Sequence, residues 1–210
     1  YPCGFARLSA ADFDGKSPSQ IEAMLATPTI IEGLIDSWPA FQTWTDPDKF
    51  AQRHGTLKVD GKRLSWMYSD ALADQEAGRP TSHAELAEVI DATAREHIIV
   101  LDETGRSDQE GELLTALTDD IEVPDFLEAI DVARVFSFGG GHRGVQIMQH
   151  GVAWLGLVTG AKLWYVAAPN EDKHGDRKCI PDALIDEEAN QREKIVTCLL
   201  LPGEVIFVPD

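Results

Sequence analysis

The stretch "GVQIMQHGVAWLGLVTGAKLWYVAAP", residues 144–169, alternates apolar and polar side chains and so predicts β-strands rather than a helix. It turns at Thr159-Gly160-Ala161 into a second strand, which favours an ordinary barrel hairpin. It also places Met148 and His150 two positions apart, where both side chains project from one face of a strand. A second interpretation is therefore a metal site in which one ligand has been replaced.

The same period of two continues through the carboxy-terminal half of the chain. Short strands separated by Gly and Pro turns predict a sandwich or jelly-roll barrel. The predicted strands cover residues 135–138, 144–150, 153–159, 162–167, 194–201 and 205–208. Residues 170–191 are strongly charged, which is typical of a surface segment.

The amino-terminal half carries helix-start signals instead. Ser17-Pro18 and Asp46-Pro47 each place a capping side chain before a proline at the first helical position, and the second of these helices is predicted to end at Gly55. The other predicted elements are a strand over 29–31, a hairpin turn at Asp60-Gly61, a helix capped by Thr81 or Ser82, a strand over 97–101, and helical segments within 107–130 interrupted at Pro124. Most of the predicted helices thus precede most of the strands.

The 210-residue chain has the composition of one folded globular domain, with 43% hydrophobic and 26% charged residues. Its formal net charge of −18 repels phosphate backbones and anionic lipids, so nucleic acid is not an expected partner. The same charge would attract a basic peptide or a basic protein surface. Alternatively, it serves only to keep the surface solvated.

The cysteines Cys3, Cys179 and Cys198 are odd in number and form no C-x-x-C pair, which indicates reduced thiols and a reducing compartment. No apolar run approaches the roughly 20 residues that span a bilayer, so we expect a soluble protein without a membrane-spanning segment. The sequence begins at Tyr1 rather than Met and stops at Asp210 directly after a predicted strand. We therefore expect it to be processed or incomplete at both ends.

Six short motifs occur in order along the chain. They are "PTIIEGLIDSWPAFQTW" (28–44), "DPDKFAQRHG" (46–55), "VPDFL" (123–127), "FSFGGGHRGVQIMQHG" (136–151), "VTGAKLWYV" (158–166) and "LPGEVIFVPD" (201–210). Together they resemble the Jumonji-C (JmjC), or cupin-like, hydroxylase family over nearly the whole chain. The resemblance implies a mostly β fold with α-helices, namely a double-stranded β-helix (jelly roll) with helices packed at its amino-terminal side. It also implies a single domain over residues 1–210 that lacks its last strands.

Members of this family commonly hold Fe(II) with a His, an acidic residue two positions later and a second His on a later strand, and they use 2-oxoglutarate as co-substrate. Imidazole and carboxylate suit Fe(II), and three ligands on one face leave the other face open for reaction. In this chain Met148 stands at the first His position and His150 at the acidic position. A neutral thioether suits Cu(I) better than Fe(II), so His150 is the one good metal ligand of the pair. The position of the family's distal His lies beyond Asp210.

Lys162, in "GAKLW", matches the family's Gly-x-Lys position, where an ammonium pairs with the distal carboxylate of 2-oxoglutarate. This lysine would permit anion binding even without the iron ligands. The alternative is a solvated lysine at a strand edge whose aliphatic stem packs on Trp164. For His150, the alternative to metal binding is a barrel-core histidine satisfied by one hydrogen bond. The expected role of the tryptophans at positions 38, 44 and 66 is core anchoring rather than partner binding.

Two functions follow from the resemblance, and both stay open at this point. The first is a JmjC-like protein with an impaired iron site and no cofactor, which acts as a non-catalytic binding or accessory subunit of a larger assembly beside a protein partner. The second is an active Fe(II)/2-oxoglutarate-dependent hydroxylase of a protein side chain. In that case His150 and a downstream His bind iron, and Lys162 holds 2-oxoglutarate.

Overall fold

The described part of the chain forms three β-sheets with short helices, as seen in a computed structural model that describes residues 3–62, 83–85, 99–103, 112–130, 135–139, 151–167 and 195–210. The helices are α1 (Pro18–Met24), α2 (Ala40–Thr43), α3 (Pro47–His54), α4 (Glu112–Leu117) and α5 (Asp125–Glu128), with 3-10 turns at Ala10–Phe13 and Thr118–Asp120. The strands are β1 (Ala6–Ser9), β2 (Thr29–Glu32), β3 (Lys58–Lys62), β4 (His83–Glu85), β5 (Ile99–Glu103), β6 (Val135–Gly139), β7 (Ala153–Gly156), β8 (Lys162–Val166), β9 (Val196–Leu200) and β10 (Glu204–Val208).

The two predicted helix starts are confirmed, and local hydrogen bonds explain them. Ser17 Oγ accepts a bond from the Gln20 backbone N–H at 3.4 Å, and Gln20 Oε1 accepts one from the Ser17 N–H at 2.8 Å. Asp46 Oδ1 accepts bonds from the Asp48 and Lys49 N–H groups at 3.0 and 3.2 Å. These side chains satisfy backbone donors that have no partner within the first helical turn.

The central sheet has the strand order β1-β2-β10-β7, and its two middle strands, β2 and β10, are buried on both faces. β1 runs parallel to β2, whereas β10 is antiparallel to both of its neighbours. Successive side chains of a strand point to opposite faces. Ile30 and Ile206 therefore face one side, while Ile31 and Val205 face the other, and all four are fully buried. The middle of the sheet is thus an interior layer of the described chain.

One face of the central sheet packs against the helices. We call this group the helix-side cluster; it consists of Phe13, Leu25, Ile31, Ile35, Trp38, Ala40, Leu127, Val158, Val205 and Phe207. Its members come from the central sheet, from α2, α5 and the turns, and from the chain just after α1. The expected packing of amino-terminal helices against the strands is therefore present.

The opposite face of the central sheet packs against the pair β8–β9. We call this group the inner cluster; its buried members are Phe5, Ile30, Cys198, Leu200 and Ile206. The partly buried side chains of Leu155, Leu157, Trp164 and Val166 pack against it. Because its residues come from both sheets, the inner cluster fills the space between them.

A disulfide joins Cys3 to Cys198, so the prediction of reduced thiols is wrong for these two residues. The amino-terminal segment lies directly on β9, where the Gly4 N–H donates to the Thr197 carbonyl at 3.0 Å and brings the two cysteine Cα atoms to 4.1 Å. A separation of 195 residues gave no sign of this contact in the sequence. Cys179 lies outside the described residues. The predicted reducing compartment was inferred from reduced thiols, so the disulfide removes this argument for it.

The second four-stranded sheet has the order β4-β3-β5-β6 and corrects two further predictions. The hairpin turn at Asp60-Gly61 is wrong, because β3 continues through both residues and pairs Asp60 with His83 and Gly61 with Val100. The helix start at Thr81 or Ser82 is also wrong, since residues 83–85 form β4. The remainder of that predicted helix lies outside the described residues.

The predicted hairpin around Thr159-Gly160-Ala161 is wrong as well. Gly160 does form a turn there, with φ +81°, but β7 pairs with β10 while β8 pairs with β9. The two strands that follow one another in sequence therefore belong to different sheets. The described chain is a mixed fold of sheets and helices, compatible with the β-rich prediction. None of its described helices is both long and apolar enough to cross a membrane.

Candidate functional site

Lys162 is the first residue of β8, and its side chain lies on the face of the strand that is turned toward the inner cluster. Residues two apart on a strand share a face, so Lys162 lies on the side of Trp164 and Val166, both of which pack against that cluster. Its partner across the strand pair is Leu200, which is fully buried. The side chain is consequently partly buried. The packing on Trp164 that accompanied the alternative of a strand-edge lysine is present, and the choice between this alternative and an anion-binding lysine stays a prediction.

The Lys162 ammonium lies in an apolar setting beside an aromatic ring. Its Nζ atom is 4.9 Å from the centroid of the Trp164 ring, within the range of a cation–π contact. Burial lowers the pKa of Lys162 from its ordinary value. No carboxylate of the described residues lies within 4.0 Å of this Nζ. A partly desolvated cation in such a setting gains from the binding of an anion.

Trp164 contributes a second polar group to the same region. Its indole Nε1 is buried and has no hydrogen-bond partner among the described residues. A buried N–H without an acceptor carries a free-energy cost of about 1–3 kcal/mol. The inner side of β8 therefore presents two donors and, within the described chain, no acceptor for them.

The predicted metal residues, Met148 and His150, lie outside the described residues, so their arrangement stays a prediction. The residues that are described contain no group of three or more His, Cys, Asp or Glu side chains that could hold a metal ion. A thioether and one imidazole provide no negative charge, so they do not fit the Fe(II) site implied by the resemblance.

A buried polar cluster around Asp120 was missed by the sequence analysis. The Asp120 carboxylate is 2% exposed and accepts hydrogen bonds from Trp44 Nε1 at 2.8 Å and Thr43 Oγ1 at 3.2 Å. Arg53 Nη1 lies 3.4 Å from its Oδ1 atom, and His54 Nε2 lies 3.9 Å from Oδ2. These partners come from α2, from α3 and from Trp44 just after α2, so Asp120 connects that region to the 3-10 turn after α4.

His54 is the least satisfied member of this cluster. It is 5% exposed, and its Nε2 atom has no hydrogen-bond partner among the described residues. Burial, followed by the positive charge of Arg53, lowers the pKa of His54 below 6.5, and the negative charge of Asp120 opposes this in part. The histidine is therefore held in its neutral form at neutral pH. Its place at the end of α3 was visible in the sequence, but its burial was not.

The tryptophans of the amino-terminal half anchor the core, as expected. Trp38 is buried in the helix-side cluster, and its Nε1 donates to the Glu122 carbonyl at 2.7 Å. Trp44 packs edge-on against Phe50 and Phe136, with ring centroids 6.1 and 5.3 Å away. Neither ring forms an exposed patch. Trp66 lies outside the described residues.

Comparison with known proteins gives one distant relationship. The chain is similar to a lysine-specific demethylase, JMJ21 of Arabidopsis thaliana, with 24% identity over 219 residues. The match covers 87% of this chain but 21% of the demethylase, so the chain spans about a fifth of the length of that relative. No family model matches the sequence. The similarity agrees with a JmjC-like relationship at the level of a distant relative.

Proposed function

We propose that this chain is a JmjC-like protein with an impaired iron site, which binds a small carboxylate through Lys162 and acts as a non-catalytic accessory subunit. Two observations support the family part of the proposal. The six motifs occur in order along the sequence. The distant similarity to a lysine-specific demethylase covers most of the chain.

The strand pairing supports a double-stranded β-helix. A jelly roll is a long antiparallel ribbon that folds so that consecutive strands alternate between two facing sheets. Here β8 pairs with β9 in one sheet, while the flanking strands β7 and β10 pair with each other in the central sheet. The inner cluster fills the space between these sheets. This nesting fits one jelly-roll domain over residues 1–210.

The inward position of Lys162 is the observation that carries the proposal. A solvated lysine would indicate nothing, but this ammonium lies beside Trp164 on the side of β8 that faces the inner cluster. The carboxylate of a 2-oxoglutarate-like dicarboxylate would supply the charge that it lacks among the described residues. Such a charge-assisted bond is stronger when water is partly excluded.

The non-catalytic part of the proposal depends on Met148 and His150. With a neutral sulfur in place of the first imidazole and an imidazole in place of the carboxylate, the pair supplies no charge to hold Fe(II). No reaction step is therefore assigned to iron. A protein partner with a basic surface would be attracted by the net charge of −18. This partner is part of the proposal and fits an accessory role in a larger assembly.

The test is a calorimetric titration of the purified protein with 2-oxoglutarate in the presence of EDTA. We expect measurable binding, and an affinity about tenfold lower or worse in Lys162→Met, because the substitution keeps the apolar stem and removes the charge. Lys49→Met is the matched control, since Lys49 is exposed on α3, and its affinity should equal that of the wild type. Absence of binding to the wild type, or equal binding to Lys162→Met, would contradict the proposal.

An active hydroxylase is the second candidate, and the inward position of Lys162 favours it too. It predicts succinate release from 2-oxoglutarate in air when Fe(II) and ascorbate are supplied, and loss of that release in Lys162→Met. The non-catalytic proposal predicts 2-oxoglutarate binding without succinate. Turnover that depends on added iron would replace the first proposal by the second.

A further inference from the structure

The amino-terminal segment bridges the two sheets that enclose the inner cluster. β1 belongs to the central sheet, and Cys3, three residues before it, is bonded to Cys198 in β9 of the facing sheet. Phe5, between them, is buried in the inner cluster. The segment therefore holds the middle of β9 against the central sheet.

Cys198 is also close to the candidate anion site. It is paired across the strands with Trp164, whose ring lies under the Lys162 ammonium. Cys198 is fully buried, whereas Cys3 is partly exposed. A solvent-borne reagent is therefore expected to attack at Cys3 rather than at the buried Cys198.

We propose that the Cys3–Cys198 disulfide is a reducible clamp, opened by a dithiol that attacks Cys3, and that its opening releases the amino-terminal segment from β9. A thiolate of the dithiol bonds to Cys3 Sγ, the S–S bond breaks, and Cys198 leaves as a thiolate that takes up a proton. The second thiolate of the dithiol then displaces the Cys3 thiolate, which is protonated in turn. The dithiol is oxidised by two electrons to its own disulfide, and the protein is reduced to two thiols.

Release is expected because few contacts hold the segment once the bond is open. Among the described residues, the contacts that still hold the segment to β9 and the inner cluster are the hydrogen bond from Gly4 to Thr197 and the burial of Phe5, while β1 stays paired with β2. The approach is also crowded, since a Cβ atom on Gly4 would lie 2.5 Å from Val196 Cγ1. A side chain at residue 4 would therefore require Val196 to move before the clamp could close.

The first experiment measures amide hydrogen exchange of the native protein with and without dithiothreitol. We carry it out in a Cys179→Ser background, so that only the bonded pair can change. We expect the amides of residues 4–5 and 196–200 to exchange about tenfold faster or more after reduction, and those of β1, which pairs with β2, and of α3 to be unchanged. Cys3→Ser should match the reduced protein without added dithiol. Equal exchange in both states, a bond that dithiothreitol opens only in denaturant, or two free thiols in the purified protein would each overturn the proposal.

The second experiment tests the crowded approach by redox titration against reduced and oxidised dithiothreitol. Gly4→Ala should shift the equilibrium constant about fivefold or more towards the dithiol form, because its methyl group overlaps Val196. Adding Val196→Ala removes the overlapping atom and should restore the wild-type constant. Gly151→Ala, whose Cβ would meet its nearest neighbour at an ordinary 3.8 Å, is the control. A wild-type constant in Gly4→Ala would contradict the proposed docking.

Discussion

At the scale of single residues, the Asp120 carboxylate shows how a buried charge is satisfied. It receives two hydrogen bonds, from Trp44 and Thr43, and lies near the Arg53 guanidinium. Removing such an acceptor leaves its donors buried without a partner, and this costs more than the hydrogen bonds were worth. Asp120 should therefore contribute to stability far more than its exposed neighbour Asp119.

We predict that Asp120→Ala lowers the free energy of unfolding by about 2–4 kcal/mol, mainly because the Trp44 N–H loses its acceptor. Asp119→Ala is the matched control and should stay within about 0.5 kcal/mol of the wild type. Urea denaturation followed by tryptophan fluorescence measures both. Similar losses in the two variants would mean that the acidic turn, and not the buried cluster, sets the effect.

The pKa of His54 predicts how stability depends on pH. It is lowered in the folded state, first by burial and then by Arg53, so around pH 6.5 the unfolded chain binds more protons than the folded one. Stability contributed by neutral His54 is therefore fully present above pH 6.5 and is lost as the pH falls below it. The lowered pKa values of Asp12 and Asp46 act in a separate window, below 3.8.

We predict that the free energy of unfolding falls between pH 7 and pH 5, with a slope of at most about 1.4 kcal/mol per pH unit from this one group. His54→Gln should flatten the slope, because glutamine does not titrate. Urea midpoints at several pH values give the slope, and an NMR titration of the His54 ring gives its pKa. A ring that titrates above 6.5 would refute the stated direction.

A sequence motif was enough to propose a role for Lys162, and that role stays a prediction. Lys162 was identified from its place in "GAKLW", and its inward position is consistent with that identification. The partners of Asp120 were not predictable, since Trp44 and Thr43 lie 76 and 77 residues away. In the sequence Asp120 belongs to an acidic run that is typical of a solvated surface. Met148 and His150 stay predictions.

At the scale of elements, local signals were reliable for helices and unreliable for the Asp-Gly turn. Ser17 and Asp46 cap their helices through bonds within three residues, so the sequence contained all the necessary information. Asp60-Gly61 has the composition of a hairpin turn, but both residues pair with distant strands. Pairing with residues 83 and 100 overrides the local preference for a turn. These partners are too far away in the sequence to be found in a short stretch around residues 60 and 61.

Gly156 in β7 marks a close packing contact between the central sheet and the helix-side cluster. A Cβ atom there would lie 3.0 Å from Ile35 Cδ1 and 3.3 Å from the Trp38 ring, both buried in the helix-side cluster. We predict that Gly156→Val lowers the free energy of unfolding by about 1–3 kcal/mol through overpacking. Gly151→Ala, which meets only an ordinary contact, should change it by less than about 0.5 kcal/mol. Thermal and urea unfolding of both variants test this, and a neutral Gly156→Val would show that Ile35 and Trp38 can move.

At the scale of the whole molecule, the central sheet joins the two ends of the described chain. β10, near residue 210, lies between β2 and β7, and Arg7 forms ion pairs with Glu32 and Glu204 across three neighbouring strands. Such contacts close very long loops, which costs chain entropy before the contacts form. The fold therefore depends on burial of the sheet on both faces, and no single segment specifies it.

The disulfide adds a covalent closure to the same long loop, because Cys3 and Cys198 are 195 residues apart. A crosslink restricts the unfolded chain more than the folded one, and the effect increases slowly with loop length.

We predict that Cys3→Ser lowers the free energy of unfolding by about 2–5 kcal/mol under non-reducing conditions. With dithiothreitol present, the wild type should fall to the value of Cys3→Ser, while the variant itself should not respond. In Cys179→Ser the loss on reduction should persist, because the bonded pair is intact. Urea denaturation of the three proteins, each with and without dithiothreitol, measures these changes in the free energy of unfolding. A response to reductant in Cys3→Ser would show that a different bond is responsible for the stabilisation.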